Sequence, residues 1–583
     1  MLEVTITPPT DAPRTQMTHR GYISPSRGLL DGFEYSIKGP GGTSNLVPIY
    51  YTDVPVVLEK EKGNDKPETA EEVTVPCEIA GRIDKRGDRD WYSFNAKKGD
   101  TYYLELFADR IGSEMDTYYV VKNSANMGNV IPEQDDDPDA LHPVTFYNRN
   151  GDPPSAKFTA PADGKYLVFV GSREAGSYFG PRCVYHMRIR KPQPDFRVVV
   201  MAKSRDQPTS PLALQNGEFA LDLFADRQDG FNDPIIATVE NLPPGVTASP
   251  AIIGSGSKWG TLVLTGNGAL KEFTGPIRVK CTATINSKPL VREARPATIT
   301  WAIPANQNIP TIARMDQSLM LAVRTEKAHV RISTETAKAK VKTKNKENKD
   351  EEIPAQFPLY VKPGDKITVP LKVSWQGEGA RPNPVTVTLE PTQPNMATSP
   401  LSVAAPMPIA KDKNDGTITL DVRVTALPGT YPVVLRGETT VPFARDPNKK
   451  DAKTNVAVSG FAQPMEIIVL PLNLGKFTAT ITGSIKAGMN GELVVKVDRA
   501  NDYEGEFKIN ITLPKDTKGI VVKDVVLPAG VNEVKIPIMV AADAKPGTLQ
   551  NVIMNAVATV HGKFPIAHDA KFNLVVSAAD KKK

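Results

Sequence analysis

Proline constrains this chain more than any other residue: it fills 51 of 583 positions, well above the usual ~5 %. Proline breaks helix interiors and central strands alike, so long helical bundles are excluded. Together with 42 glycines, it punctuates the chain into short segments of strand length. Residues alternate in period two within several of these, as in Thr101-Tyr-Tyr-Leu-Glu-Leu-Phe-Ala108, where Tyr102, Leu104 and Leu106 share one face. The fold expected is all-β, a tandem series of antiparallel β-sandwiches.

At ~150 residues per domain the length suggests about four domains. Turn clusters and composition shifts divide the chain into 1–57, a partial β-domain or cap; 58–194, a β-sandwich; and 195–303, an immunoglobulin-like sandwich. They continue with 304–354, connecting strands with a Lys-rich loop; 355–472, a second immunoglobulin-like sandwich; and 473–583, a third with a short basic tail. The last three sandwiches read as divergent copies. Pro428-Gly-Thr-Tyr and Pro546-Gly-Thr-Leu each open a late strand, and Arg227 with Gly230-Phe231 corresponds to Arg499 with Asp502-Tyr503. No Cys…Trp…Cys spacing is present, so aliphatic packing must carry these cores.

A net charge of +5 over this length argues against a dedicated nucleic-acid binder. The lysine run Lys338–Glu352 is balanced by acids, lacks interleaved aromatics and reads as a solvated loop or hairpin tip. No apolar run approaches ~18 residues, so no membrane insertion is expected. Met1 is followed by Leu-Glu-Val-Thr-Ile, which is not a signal peptide.

Catalytic patterns are scarce. Gly254-Ser-Gly-Ser257 does not match a serine elbow and reads as a turn. The six histidines (His19, His142, His186, His329, His561, His568) are scattered over different units, without a His-Glu-x-x-His pair. The chain is read as non-enzymatic. Cys77, Cys183 and Cys281 are read as buried thiols, with a Cys77–Cys183 bridge as the alternative if their strands adjoin. Trp91, Tyr102, Tyr103, Tyr118 and Tyr119 are candidates for a binding face, since adjacent tyrosines in a strand point to opposite sides.

The unit at 58–194 carries Asn64-Asp-Lys-Pro-Glu-Thr-Ala70, Gly81-Arg-Ile83, Gly87-Asp-Arg-Asp90-Trp-Tyr-Ser-Phe94, Lys98-Gly-Asp100, Arg110-Ile-Gly-Ser113 with Asp116, and Pro161-Ala-Asp-Gly-Lys-Tyr-Leu-Val168. In order and spacing these resemble the bacterial pre-peptidase C-terminal (PPC) domain, a jelly-roll-like sandwich appended to secreted proteases and related to the collagen-binding domains of clostridial collagenases. The flanking pieces look like planctomycete-type multidomain surface proteins with immunoglobulin-like modules. The resemblance implies an extracytoplasmic protein for adhesion, substrate targeting or spacing, with an extracellular protein or polysaccharide as partner. The alternative is an accessory region of a secreted protease or other hydrolase whose catalytic domain lies upstream.

Hard cations such as calcium want several oxygen ligands, mixing carboxylates with amides. In the collagenase domains an acidic entry segment and a carboxylate pair on a following loop bind calcium. By position this implies Glu59, Glu61, Asn64, Asp65, Asp88 and Asp90 as ligands here. Lys62-Gly63 lengthens the spacer by one residue, which bears most on Glu59. A second acidic run, Gln134-Asp-Asp-Asp-Pro-Asp139, reads as an exposed loop.

Overall fold

The structure is a computed structural model that describes residues 4–9, 27–60, 63–113, 115–136, 152–203, 210–301, 312–344, 349–390, 399–403, 406–444, 448, 453–482, 485–501 and 503–578. Glu61, His19, His142, Asp502, residues 137–139 of the acidic run, residues 345–348 of the Lys-rich run and the basic tail lie outside these residues. Within them every regular element is a strand, apart from four single turns of 3-10 helix. The chain is all-β, a series of paired sheets. Most ladders are antiparallel. Six pairings are parallel, among them Val56–Leu58 on Cys77–Arg82 and Leu359–Val361 on Met465–Val469.

The second unit packs two five-stranded sheets face to face. One runs Asn129–Gln134, Thr117–Asn123, Gly164–Ser172, Asp90–Ala96, Glu71–Glu72 in spatial order. The other runs Ala156–Thr159, Thr101–Phe107, Val184–Arg190, Cys77–Arg82, Val56–Leu58. Between them lie Tyr92, Phe94, Leu104, Tyr119, Phe158, Tyr166 and Tyr185, all fully buried. Each such side chain stabilises the unit by about 1.5–3 kcal/mol relative to exposure. Leu104 and Leu106 are buried on Thr101–Phe107 as the alternation predicts, and Tyr102 nearly so.

The strand ladders divide the described part of 304–354 between the third unit, which begins at 195, and the fourth, which runs on to 472; the fifth begins at 473. Ile312–Met315 pairs with Arg295–Trp301, and Leu319–Lys327 pairs with Phe273–Ile285, so both belong to the third unit. Val330–Thr334 and Lys340–Lys344 pair with Lys366–Trp375 in the fourth. The Lys-rich run forms a hairpin, Lys340–Lys344 against Asp350–Pro354, on the edge of that sheet. Lys340 meets Glu352 at 3.0 Å, and Lys342 meets Asp350 at 2.9 Å. Charges of both signs along an exposed edge discourage pairing with another chain.

Leu29 and Tyr50 of the N-terminal segment cover part of the outer face of a third-unit sheet. Leu29 packs with Val199, Met201, Phe224, Trp259 and Met315. Gly28 lies close against Met315, whose sulfur would be 2.6 Å from an added Cβ, so a larger residue there would displace the end of the Met315 side chain. Asp31 fastens this segment through Arg197 at 2.7 Å and through Arg295.

The three later units share a device that the Arg227/Arg499 correspondence hints at. Arg227 donates to the carbonyls of Ser257, Asp233 and Gly254, and its guanidinium lies 5.2 Å from the Phe231 ring. Arg499 donates to those of Tyr503, Gly505, Pro528 and Val531 and lies 5.2 Å from the Phe507 ring. In the fourth unit Arg381, itself buried, gathers the Ala410 and Lys413 carbonyls. One planar cation with five donors thus ties several loop carbonyls to one another.

Candidate functional site

The site lies at the open end of the second unit, where the chain enters the sandwich. Val56–Leu58 adds to the sheet in parallel and delivers Glu59 beside Arg82, whose backbone N–H donates to Glu59 Oε2 at 2.8 Å. The following turn carries Asn64 inward to 6 % exposure. Its carbonyl accepts from Trp91 N–H at 2.9 Å, which locks the turn to the start of Asp90–Ala96. Asp90 is 1 % exposed, in the first position of that strand.

The six residues expected as ligands separate into two groups. Glu59, Asn64 and Asp90 come together: the Asn64 amide donates to Glu59 Oε1 at 2.8 Å and to Asp90 Oδ1 at 3.3 Å. Asp65 and Asp88 instead face Lys85, whose ammonium is 2.9 Å from Asp65 and 3.6 Å from Asp88. Asp88 also caps its own loop, accepting from Asp84 N–H at 2.8 Å and Arg89 N–H at 3.2 Å. Glu61 lies outside the described residues.

Sequence reasoning missed three contributors. The hydroxyls of Tyr92 and Tyr185 are 2.7 Å apart, and Tyr185 donates to Asp90 Oδ2 at 2.7 Å. Burial raises both phenols well above their ordinary range, so they keep their protons and the relay runs Tyr92 to Tyr185 to Asp90. The available signal was Gly81, which stands opposite Tyr185 in the ladder. A Cβ on Gly81 would lie 2.4 Å from the Tyr185 ring, so glycine is what lets the phenol reach Asp90. Lys85 is the third.

Burial pushes the Asp90 carboxyl up to about 9, helped by the charge and hydrogen bond of Glu59 and opposed by the Tyr185 hydrogen bond. Two carboxyls so close in a dry place must share a proton or face a cation. Among the described residues no group of three or more His, Cys, Asp and Glu side chains is arranged to hold a metal. Glu59 and Asp90 offer two carboxyls, the donor chemistry a hard cation takes, and Asn64 would join them with its amide turned so that Oδ1 replaces the NH2 that bridges them here. Asp65 and Asp88 do not fit that role while the Lys85 ammonium stands between them.

The other candidates resolve on geometry. Cys77 opens the strand Cys77–Arg82, whereas Cys183 stands just before the adjoining strand Val184–Arg190, at the opposite end of the ladder. Cys77 faces Ile189, while Val184, next to Cys183, faces Arg82. All three cysteines are free and buried. Tyr102 and Tyr119 are core residues, whereas Trp91, Phe169 and Tyr118 cluster on the outer face of the sheet that carries Tyr119, the Phe169 centroid lying 5.0 Å from Trp91 and 5.5 Å from Tyr118. Residues 254–257 form a turn with Gly256 at φ +67°, closed by the Ser257 N–H on the Gly254 carbonyl at 3.0 Å, and the Ser257 hydroxyl donates onward to the Trp259 carbonyl at 2.9 Å. His186 pairs with Glu78 at 2.7 Å. A cavity of about 520 Å³ opens where the N-terminal segment and the second and third units meet, bordered by Tyr50, Arg188, Arg190, Asp195 and Arg292. No described helix is long and apolar enough to cross a membrane.

No protein-family model matches the chain, and no curated protein does. Among solved structures, the chain is similar to a marsupial T cell receptor, at 10 % identity and TM-score 0.14, over 65 % of this chain and 100 % of that one. It is also similar to Escherichia coli alpha-2-macroglobulin activated by porcine elastase, at 11 % identity and TM-score 0.16, over 95 % of this chain. The chain spans 47 % of that macroglobulin.

Proposed function

We propose that the protein is a non-catalytic extracytoplasmic scaffold, in which a PPC-type sandwich is held in fixed register with immunoglobulin-like units and presented for adhesion, targeting or spacing. The joints between units carry this reading. Arg190 of the second unit contacts Asp229 of the third, and the Gln193 N–H donates to the same carboxylate at 2.6 Å. Glu218 of the third unit meets Arg331 of the fourth at 2.6 Å. Tyr360 of the fourth packs on Phe564 of the fifth, with centroids 4.6 Å apart. A chain that spends its buried charges on fixing neighbours to one another suits a spacer. Calcium is the proposed stiffener of the second unit, held by Glu59, Asn64 and Asp90, and the proposed partner is an extracellular protein or polysaccharide.

Calorimetric titration of the full chain with calcium, alongside pull-down on cell-wall glycans and collagen-like proteins, tests the reading. Heat of binding that disappears in Asp90→Asn supports the cation site. No heat and no chelator-sensitive melting at millimolar calcium removes it. Hydrolysis of a casein or glycan panel, abolished by one substitution in this chain, overturns the scaffold reading.

A further inference from the structure

The contact between the third and fourth units contains a group that none of the preceding functions uses. Lys203 follows strand Asp195–Ala202, and its backbone N–H donates to the Ala220 carbonyl at 3.2 Å. Its ammonium is 3.0 Å from Asp222 Oδ1 and in direct contact with Glu390 Oε2 of the fourth unit. The three side chains are 15 %, 16 % and 5 % exposed. Asp222 is held in mid-strand with partners on both sides, Met201 and Thr261. The Glu390 N–H donates to the Val434 carbonyl at 2.9 Å. Elsewhere in this contact, Ala220 and Val263 pack with Val434 and Phe461 in an apolar plug.

One amine between two carboxyls in a sheltered place is the arrangement that condensation requires: a nucleophile, an acyl carbon and a base, all fixed by backbone. Burial raises the Glu390 carboxyl above its ordinary range, against the pull of Lys203, while burial is outweighed at Lys203 by the charges of Asp222 and Glu390, which raise the amine above its own, so the amine can attack only once a base has taken its proton.

We propose that Lys203 and Glu390 form a spontaneous amide cross-link between the third and fourth units, with Asp222 as the base. Asp222 takes one proton from the Lys203 ammonium. The free amine attacks Cδ of the Glu390 acid, and the Nζ–Cδ bond forms. The Cδ–OH bond breaks, and the hydroxyl leaves as water with a second proton from the nitrogen. The products are a secondary amide, one water and protonated Asp222. Atoms and charge balance without an oxidant or a cofactor. The change replaces a buried ion pair by neutral groups, which removes the cost of keeping charges out of water.

The test is the intact mass of the purified full-length chain, followed by tandem mass spectrometry of its proteolytic digest. The expected result is a mass one water below the sequence mass, with a branched peptide joining Lys203 to Glu390. Lys203→Arg and Glu390→Ala restore the full mass, and Asp222→Ala slows or abolishes the loss. Circular dichroism confirms that each variant folds. Full sequence mass in the folded wild type after prolonged incubation overturns the proposal. So does a water loss that survives Lys203→Arg, or a branch joining Lys203 to Asp222 instead.

Discussion

Gly81 shows how much a single absent carbon can decide. Its missing Cβ leaves the space in which the Tyr185 ring lies, and through Tyr185 it sets the hydrogen bond to Asp90. Gly81→Ala is expected to destabilise the second unit by about 1–3 kcal/mol through overpacking, read by chemical denaturation. Glu78 is the opposite kind of residue, a buried carboxylate with its partners in place: Arg188 at 2.6 Å and His186 at 2.7 Å. Burial alone would raise its pKa, but the His186 hydrogen bond and the Arg188 charge outweigh burial and hold it at about 2. The unfolded chain therefore binds more protons between pH 4.5 and 2, and stability falls as pH drops through that window. Glu78→Gln is expected to cost about 3 kcal/mol at neutral pH, because it leaves Arg188 without its charge partner, and to flatten the acid limb of a pH–stability curve.

At the scale of elements, strands were legible and their partners were not. Alternation placed Tyr102, Leu104 and Leu106 on one face of Thr101–Phe107, since period two is written in the residues themselves. The return of Leu319–Lys327 to the third unit was hidden within 304–354, read as connecting strands, because ladder pairing leaves no mark in composition. The ligand set was legible as a list and not as a geometry. Lys85 draws Asp65 and Asp88 away, and no spacing rule announces a lysine from the next loop. Two pH effects follow at this scale. With Asp90 raised to about 9 by burial and by Glu59, the metal-free fold binds the extra proton between pH 3.8 and 9, so its stability declines as pH rises through that range. Saturating calcium, which takes the place of that proton, is expected to flatten the slope in melting experiments, and Asp90→Asn to remove both the slope and its calcium dependence. In the fifth unit His568 Nε2 accepts from Leu474 N–H at 2.8 Å, a bond that only the neutral ring can make. Burial lowers its pKa below 6.5. The unfolded chain then binds more protons as pH falls, and melting of this unit should shift downward below pH 6.5 in the wild type but not in His568→Gln.

At the scale of the whole molecule, what matters is how little slack separates the units. The second and third meet through Arg190, Asp229 and Gln193, with the Asp229 carboxylate 1 % exposed. Asp229→Asn preserves the left-handed backbone there (φ +54°), since asparagine tolerates that conformation, and removes only the charge. It is expected to increase the radius of gyration of the full chain in small-angle scattering. A profile superimposable on the wild type would show that this ion pair does not set the angle. The arginines that collect loop carbonyls in the third, fourth and fifth units also settle how the sandwiches respond to their surroundings. Secreted sandwiches often rely on cystine to pin their loops, and a thiol wash then loosens them. Here the pins are guanidinium groups, and the described cysteines are single and enclosed, so reductant and oxidant alike should leave the string of units equally taut.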